Sequence, residues 1–229
     1  GGGEVKVLIN TEHHGDHAGG NWFFRDALKV SHAFTRRDTP EGVGTLDSWR
    51  GRMEKMDPEG LPLLEGYEVT LQDVTYDEAM TLRPGGREIR LIHKPGHTGG
   101  QTLVYVPDAG ALFPGDNVVV DWPPLLHSGV GRDWLACLDF IEGMDVAAIV
   151  PGHGELCDKG AVPPLRADIL ELMDRVRGCA GKGMTEAETR AAVRYDRRWK
   201  SVPDAFHERY EMLFDEGVGH LYHEVGGER

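Results

Sequence analysis

The chain has 229 residues, of which 40% are hydrophobic and 28% are charged, a mixture typical of a globular protein with enough apolar material for a core. The formal net charge of −13 disfavours a nucleic-acid partner, because phosphate binding needs clustered lysine and arginine. It disfavours an anionic membrane surface for the same reason. No apolar run approaches about 18 residues, so no membrane span is predicted.

The cysteines are few and widely spaced. Cys137, Cys157 and Cys179 show no CxxC spacing and are too few for a disulfide framework. We therefore predict three reduced thiols, as in an intracellular protein, and a cytoplasmic location. No signal peptide is recognisable at the amino end.

The first part of the chain alternates between strand and helix patterns. Residues 5–10 (VKVLIN) form a β-branched run that predicts a buried strand, and a histidine-rich segment follows it directly. Residues 22–28 are predicted to be helical, residues 45–56 a further helix and residues 60–66 a loop.

The middle of the chain is rich in strand patterns. Strands are predicted over residues 69–74, 79–82, 88–93, 102–106 and 111–113, and the Pro84-Gly85-Gly86 turn closes a hairpin. A helical period over residues 133–144 and a short buried strand over residues 147–150 complete this part.

After Gly160 the pattern becomes helical. Apolar residues recur at helical spacing from Leu165 to Val176, in a helix expected to end near Gly178. The sequence TEAE at residues 185–188 is a capping box that opens a second helix, and apolar residues around Tyr210 mark a third. We expect one domain over residues 1–160 and a C-terminal helical extension over residues 161–229 that packs on it. The apolar stripes of these helices also fit a dimer contact, so a homodimer stays an alternative.

Four stretches combine histidine or aspartate with glycine directly after a predicted strand: EHHGDH (12–17), PGHTGG (95–100), FPGD (113–116) and PGHG (151–154). One such stretch is usually a solvated turn, but four strand ends of this kind are typical of functional loops in α/β sheets. Residues alternate faces along an extended segment, so Glu12, His14 and Asp16 are expected to project to one side. Imidazole and carboxylate together are the ligands that zinc, iron or manganese prefers.

These motifs resemble those of the metallo-β-lactamase superfamily, whose first motif has the form HxHxDH and stands here as ExHxDH. The resemblance covers residues 5 to about 155. It implies an α/β fold, an αββα sandwich with a one- or two-metal site at one edge of its two sheets. It assigns the first metal to Glu12, His14 and His97, the second to Asp16, His17 and His153, and the bridge between them to Asp116. It also implies catalytic roles for Asp16 and Asp116 and a cofactor of two zinc ions, with iron or manganese as alternatives.

The resemblance further implies a reaction. In two-metal members of the superfamily a metal-bound hydroxide attacks an ester, thioester, lactone or amide carbonyl. We therefore predict a metal-dependent hydrolase of a small-molecule substrate. Two alternatives stay open: an iron-dependent oxidoreductase of the sulfur dioxygenase type, and a degenerate member without catalysis. Residues 121–131 (DWPPLLHSGVG), including His127, either line the substrate pocket or form a surface loop.

Two features depart from the family pattern. Glu12 replaces the first histidine, which adds a negative charge at the first metal and favours harder ions such as iron or manganese. The alternative is that Glu12 binds no metal and only the second site is filled. Only eleven residues precede Glu12, whereas family members usually carry a longer strand-rich segment there. We expect either that part of the N-terminal sheet is lacking from this chain or that an equivalent comes from elsewhere.

Overall fold

The computed structural model describes residues 4–194 and 202–226. The chain divides into two compact units, an N-terminal unit (Gly1–Ala79) and a C-terminal unit (Met80–Arg229). The boundary predicted near residue 160 follows the change to a helical sequence pattern and differs from this division, and it stays a prediction.

The N-terminal unit contains a three-stranded sheet with the order β1 (Val7–Ile9), β2 (Leu28–His32) and β3 (Val74–Tyr76). Both strand pairs are parallel, with Val7 opposite Leu28 and Val30 opposite Val74. Parallel strands cannot be joined by a tight turn, so longer connections link them. These connections contain the helices α1 (Gly15–Ala18), α2 (Ala33–Val43) and α3 (Leu46–Met56). The last of these confirms the helix predicted over residues 45–56.

The prediction of a helix over residues 22–28 is wrong at its carboxyl end. Gly19–Phe24 forms a 3₁₀ helix, and Leu28 already begins β2. Lys29 is buried in this strand, where its ammonium donates to the carbonyl oxygens of Arg25 and Ala27. A buried lysine conceals the apolar alternation by which a half-buried strand is recognised, because its stem packs as an apolar group.

The strand predicted over residues 69–74 is also misplaced, since β3 begins only at Val74. The reason is that the two preceding side chains are engaged in other hydrogen bonds. Gln72 is buried and its amide donates to the side chains of Asn10 and Thr39, while the Asp73 carboxylate accepts from the Lys29 backbone N–H. The predicted loop over residues 60–66 overlaps a 3₁₀ helix at Pro58–Leu64.

The C-terminal unit carries the strands of the second sheet, in the order β4 (Ala79–Leu82), β5 (Ile89–His93), β6 (Thr102–Val106), β7 (Ala111–Phe113) and β8 (Ala148–Ile149). The pairs β5–β6 and β6–β7 are antiparallel, and β7–β8 is parallel. The predicted strands over residues 79–82, 102–106 and 111–113 are confirmed in full, and β5 and β8 lie inside the predicted ranges.

The helices of the C-terminal unit are α4 (Gly131–Glu142), α5 (Val162–Gly181), α6 (Glu186–Ala192) and α7 (His207–Gly226). They share one core with the strands, to which α4 contributes Trp134, α5 contributes Ile169 and α7 contributes Leu221. The predicted end of α5 near Gly178 is wrong by one turn. A glycine inside a helix costs only about 1 kcal/mol, and the burial of Ala180 beyond it favours continuation.

The capping box that opens α6 is confirmed. The Glu188 backbone N–H donates to the Thr185 hydroxyl, and the Thr185 N–H donates to the Glu188 carboxylate at 2.8 Å. This second bond holds the pKa of Glu188 below its ordinary value. The hydrogen bonds satisfy N–H groups that have no partner within the helix. The local sequence TEAE is therefore sufficient to predict where this helix begins.

Cys137, Cys157 and Cys179 are free thiols, as predicted. Burial raises the pKa of the Cys137 thiol to about 12, so that thiol is neutral at physiological pH. Across residues 4–194 and 202–226, no helix has both the length and the apolar character needed to cross a bilayer. The cytoplasmic location and the homodimer stay predictions.

Candidate functional site

The histidine-rich segment of the N-terminal unit begins three residues after β1 ends at Ile9. Glu12 is fully buried, with 0% of its side chain exposed. One carboxylate oxygen lies 2.5 Å from His14 Nδ1, and the other lies 3.8 Å from His17 Nε2. The segment therefore places one buried carboxylate between two imidazole rings.

The predicted extended alternation from Glu12 to Asp16 is wrong, because residues 11–14 form bends and Gly15–Ala18 form the helix α1. His14 has extended backbone angles and caps α1, which turns the chain within four residues. Because of this turn, His17 points toward Glu12, and Asp16 keeps 50% of its side chain exposed. Its carboxylate lies 3.7 Å from His17 Nε2. Ligation by Asp16 stays a prediction.

A network of buried amides supports this segment from within the N-terminal unit. The Asn10 and Asn21 side chains donate to each other at 2.9 and 3.0 Å, and Gln72 donates to the same Asn10 oxygen at 2.9 Å. Asn10 also donates to the His17 carbonyl oxygen at 3.1 Å, which ties the end of the segment back to its beginning. Such fully satisfied buried networks fix a single arrangement of the backbone.

The C-terminal unit brings together one side chain from each of three strand ends. His97 follows β5, Asp116 lies on the 3₁₀ turn Gly115–Asn117 after β7, and His153 follows β8. One Asp116 oxygen lies 3.6 Å from His97 Nε2 and 3.4 Å from His153 Nε2. The three predicted ligands of this unit therefore converge, although 19 and 37 residues separate them along the chain.

The orientation of each imidazole in this unit is fixed by a neighbour. His97 Nδ1 lies 2.8 Å from the Leu125 carbonyl oxygen, and since a carbonyl can only accept, Nδ1 carries the proton and Nε2 keeps the lone pair that can ligate. The His153 ring stacks on the Trp122 indole with 4.3 Å between centroids. Both rings are thereby held with Nε2 on the side of Asp116.

Gly152 allows the loop before His153 to approach Asp116. A Cβ atom at this position would lie 1.8 Å from the nearer Asp116 oxygen and 2.8 Å from the Asp116 backbone nitrogen. No side chain fits there without displacing the carboxylate, so the glycine of the PGHG motif is required by packing.

A small cavity borders the three side chains His97, Asp116 and His153. Its other walls include Trp122, Pro123, Leu125 and Tyr210. Trp122, Pro123 and Leu125 belong to the stretch 121–131 and line this cavity, while its role in a substrate pocket stays a prediction. His127 packs instead with its ring 5.7 Å from that of His97. Tyr210, on α7, carries no sequence signal beyond its place in a helical period.

The donor set fits a metal. The described residues include groups of histidine, aspartate and glutamate side chains that could hold a metal ion. An ionised carboxylate is costly to bury unless it is paired or coordinates a metal, and both Glu12 and Asp116 are buried beside imidazole nitrogens. Imidazole with carboxylate suits zinc, iron and manganese.

The fold and the ligand motifs define a family, and the chain belongs to it: residues 1–153 match the model of the metallo-beta-lactamase superfamily. Among curated proteins, the chain is 29% identical over 149 residues to a hydroxyacylglutathione hydrolase of Synechococcus sp. (strain JA-3-3Ab), covering 65% of this chain and 49% of that protein. It is 29% identical over 168 residues to the acyl-coenzyme A thioesterase MBLAC2 of Homo sapiens, covering 64% and 55%. The chain thus spans about half the length of the curated relatives it matches.

Solved structures show the same fold. A metallo-beta-lactamase family protein from Thermus thermophilus superposes with a TM-score of 0.66 at 21% identity, covering 97% of this chain and 75% of that one. A metallo-beta-lactamase from Pontibacter korlensis gives a TM-score of 0.55 at 19% identity, covering 72% and 69%. The predicted α/β fold of this superfamily is therefore confirmed.

Proposed function

We propose that this chain is a metal-dependent hydrolase that acts on the carbonyl group of a small molecule. The observation that carries the proposal is the pair of buried carboxylates, Glu12 in one unit and Asp116 in the other, each facing two imidazole nitrogens. Both lie at strand ends, in the order of motifs that the superfamily uses.

We propose two metal ions. Glu12, His14 and His97 would be the ligands of the first, Asp16, His17 and His153 the ligands of the second, and Asp116 a ligand of both. The superfamily motif supports this assignment, with Glu12 standing in place of the first histidine. Zinc is the proposed metal, and the carboxylate of Glu12 makes iron or manganese the alternatives.

When bound, two such metals lower the pKa of a coordinated water and polarise a substrate carbonyl. The protein side chains supply the orientation. The Leu125 carbonyl holds the His97 ring through Nδ1, and Trp122 holds the His153 ring by stacking. The half-exposed Asp16 carboxylate offers an acceptor for a hydrogen bond from water, which supports its proposed catalytic role beside Asp116.

Thioesters are the proposed substrate class. One relative is named as a hydrolase of hydroxyacylglutathione and the other as an acyl-coenzyme A thioesterase, and glutathione and coenzyme A both carry acyl groups on sulfur.

The test compares hydrolysis of an acyl thioester with that of the matching oxygen ester, before and after removal of metal by a chelator. We expect thioester hydrolysis that the chelator abolishes and zinc restores. His97→Ala should lower kcat by about 100-fold, because it removes a proposed metal ligand and the contact that this ligand makes with Asp116. His220→Ala, an exposed histidine of α7, is the matched control and should leave kcat unchanged.

Two results would contradict the proposal. The first is hydrolysis that neither the chelator nor His97→Ala affects. The second is a fully metal-loaded protein that hydrolyses no member of the ester and thioester pair. Bound iron with oxygen consumption on a persulfide would instead support the oxidoreductase alternative.

A further inference from the structure

Asn117 is a buried amide that directly follows Asp116. None of its surface is exposed. Its Oδ1 accepts from the backbone N–H of His97 at 2.9 Å, and its Nδ2 donates to the carbonyl oxygen of Lys94 at 2.8 Å. One side chain therefore connects the turn that carries Asp116 to two positions in the loop that carries His97.

The polarity of these contacts fixes the amide orientation. A backbone N–H can only donate and a carbonyl can only accept, so the oxygen of Asn117 must face His97 and the nitrogen must face Lys94. A third contact runs from Nδ2 to the Cys137 sulfur at 3.0 Å. An aspartate of the same size would accept from His97 but would set a second oxygen against the Lys94 carbonyl.

The backbone of Asn117 is anchored as well. The Trp134 indole N–H donates to the Asn117 carbonyl oxygen at 2.9 Å, and the same indole packs edge-on against the His97 ring at 5.4 Å. The side chain and the main chain of Asn117 are thus both held by groups that also contact the His97 loop.

Gly96 leaves room for this amide. A Cβ atom at Gly96 would lie 2.3 Å from Asn117 Oδ1 and 3.1 Å from the Trp134 Cα. Gly96 has no positive φ, so backbone conformation does not require glycine here. The Asn117 contact therefore explains the first glycine of the PGHTGG motif.

We infer that Asn117 is a positioning residue that sets the 3.6 Å separation between the His97 imidazole and the Asp116 carboxylate. The inference rests on the proposed function, in which both side chains bind metal. Partners that orient metal ligands typically change metal affinity by about 10- to 100-fold when they are removed. Asn117 acts on two ligands at once, since it follows one in sequence and hydrogen-bonds to the backbone of the other.

The experiment measures the zinc dissociation constant by chelator competition and the visible spectrum of the cobalt-substituted protein, for the full chain and its variants. Asn117→Ala should weaken zinc binding by about 10-fold or more and shift the cobalt bands, which report ligand geometry. Tyr105→Phe is the matched control in the same unit, because it removes a different hydrogen bond, to the Asp145 carbonyl oxygen. It should lower thermal stability without changing zinc affinity by more than about twofold.

Gly96→Ala supplies a second route if Asn117→Ala fails to fold. This variant keeps the Asn117 side chain but adds a methyl group that collides with its Oδ1. Zinc affinity should therefore fall, as it should in Asn117→Ala. Cys137→Ala removes only the sulfur contact and should change zinc affinity by less than about threefold.

The outcomes separate this inference from the function on which it rests. If the unaltered chain binds zinc and both Asn117→Ala and Gly96→Ala bind it as tightly with the same cobalt spectrum, the positioning role is overturned and the proposed function stands. If the unaltered chain binds neither zinc nor cobalt, both are overturned.

Discussion

The two units present their proposed ligand side chains in opposite ways. In the N-terminal unit, Glu12, His14, Asp16 and His17 lie within six consecutive residues, and the short helix α1 carries the last two. In the C-terminal unit, His97, Asp116 and His153 come from three separate strand ends. The first set is contiguous in sequence, although Gln72 and Thr70 support it from 62 and 49 residues away, whereas the members of the second set meet only through folding.

This difference predicts where substitutions do most damage. Because the N-terminal set is contiguous, the chain itself keeps its members close together. The convergence of His97, Asp116 and His153 requires a glycine at position 152, an amide at position 117 and a carbonyl from Leu125. We therefore expect the largest effects from supporting residues of the C-terminal unit.

Gly152→Ala is expected to have the largest effect. The added methyl group would lie 1.8 Å from the Asp116 carboxylate, so the carboxylate must move. Displacement of a catalytic group by about 1 Å can cost about 100-fold in rate, and overpacking costs about 1–3 kcal/mol in stability. Thioester hydrolysis, metal content and urea unfolding measure these effects.

The control for this substitution is Gly99→Ala, in the same unit and close to His97. A Cβ atom at Gly99 has open space around it, so stability and rate should stay within about twofold of the unaltered protein. Equal losses in the two variants would show that glycine flexibility, rather than the approach to Asp116, matters at position 152.

Asn21→Ala tests whether the N-terminal ligand segment is supported locally. The substitution removes the reciprocal amide pair with Asn10 and the bond to the Thr70 carbonyl oxygen. The loss of buried partners should lower stability by about 1–3 kcal/mol. Hydrogen exchange should become faster over residues 10–21 and stay unchanged over residues 94–97. If exchange becomes equally faster in both segments, Asn21 does not support residues 10–21 selectively.

Cys137 tests whether the core beside Asn117 excludes water. Burial raises the pKa of this thiol from 9.0 to about 12. Below about pH 9 the thiol is protonated in both the folded and the unfolded chain, so it adds no pH dependence. Between pH 9 and about 12 the unfolded thiol ionises first, and stability should fall by about 1.4 kcal/mol per pH unit.

Cys137→Ala should remove this component of the alkaline slope, as measured by urea unfolding between pH 8 and 10.5. Lys94 lies close enough to act against the shift, and it is present in both proteins. Identical slopes with and without the thiol would mean that Cys137 is solvated in the folded state.

Glu224→Ala should have the smallest effect. The Glu224 carboxylate accepts from the Gly131 and Arg132 N–H groups at 2.9 and 3.0 Å, so α7 caps the first turn of α4. Loss of a helix cap costs about 1 kcal/mol, equivalent to about 2–4 °C in Tm for a protein of this size. Glu216→Ala, on an exposed position of α7, should leave Tm unchanged. If Glu224→Ala does not change Tm, the contact between Glu224 and the first turn of α4 does not stabilise the protein.

The sequence predicts the strands of the second sheet well because their patterns are self-contained. TLVYV is bounded by turn residues and matches β6 residue for residue. The strand LKVSH of the first sheet is not predicted, because its buried Lys29 is stabilised by carbonyl groups and by Asp73, which follows 44 residues later. Parallel pairing of this kind leaves no local signature.

The proposed ligand motifs can be predicted from the sequence, because histidine and aspartate beside glycine at strand ends are typical of functional loops. The residues that support them cannot be predicted in this way. Asn117 follows the FPGD motif without any pattern that distinguishes it from an ordinary turn residue, and its partners Lys94 and His97 lie 23 and 20 residues earlier. The turn of α1 that exposes Asp16 also arises from helix formation that the extended pattern conceals.

We propose that this chain holds metal through these side chains, with Glu12 among them. The most direct test is the metal content of the purified protein by elemental mass spectrometry, with no metal added, for the unaltered chain and Glu12→Gln. The exposed Glu65→Gln is the control. We predict about two equivalents of zinc in the unaltered chain and the control, and about one in Glu12→Gln. Metal well below one equivalent in the unaltered chain would contradict the claim, and an unchanged content in Glu12→Gln would remove Glu12 from the ligand set.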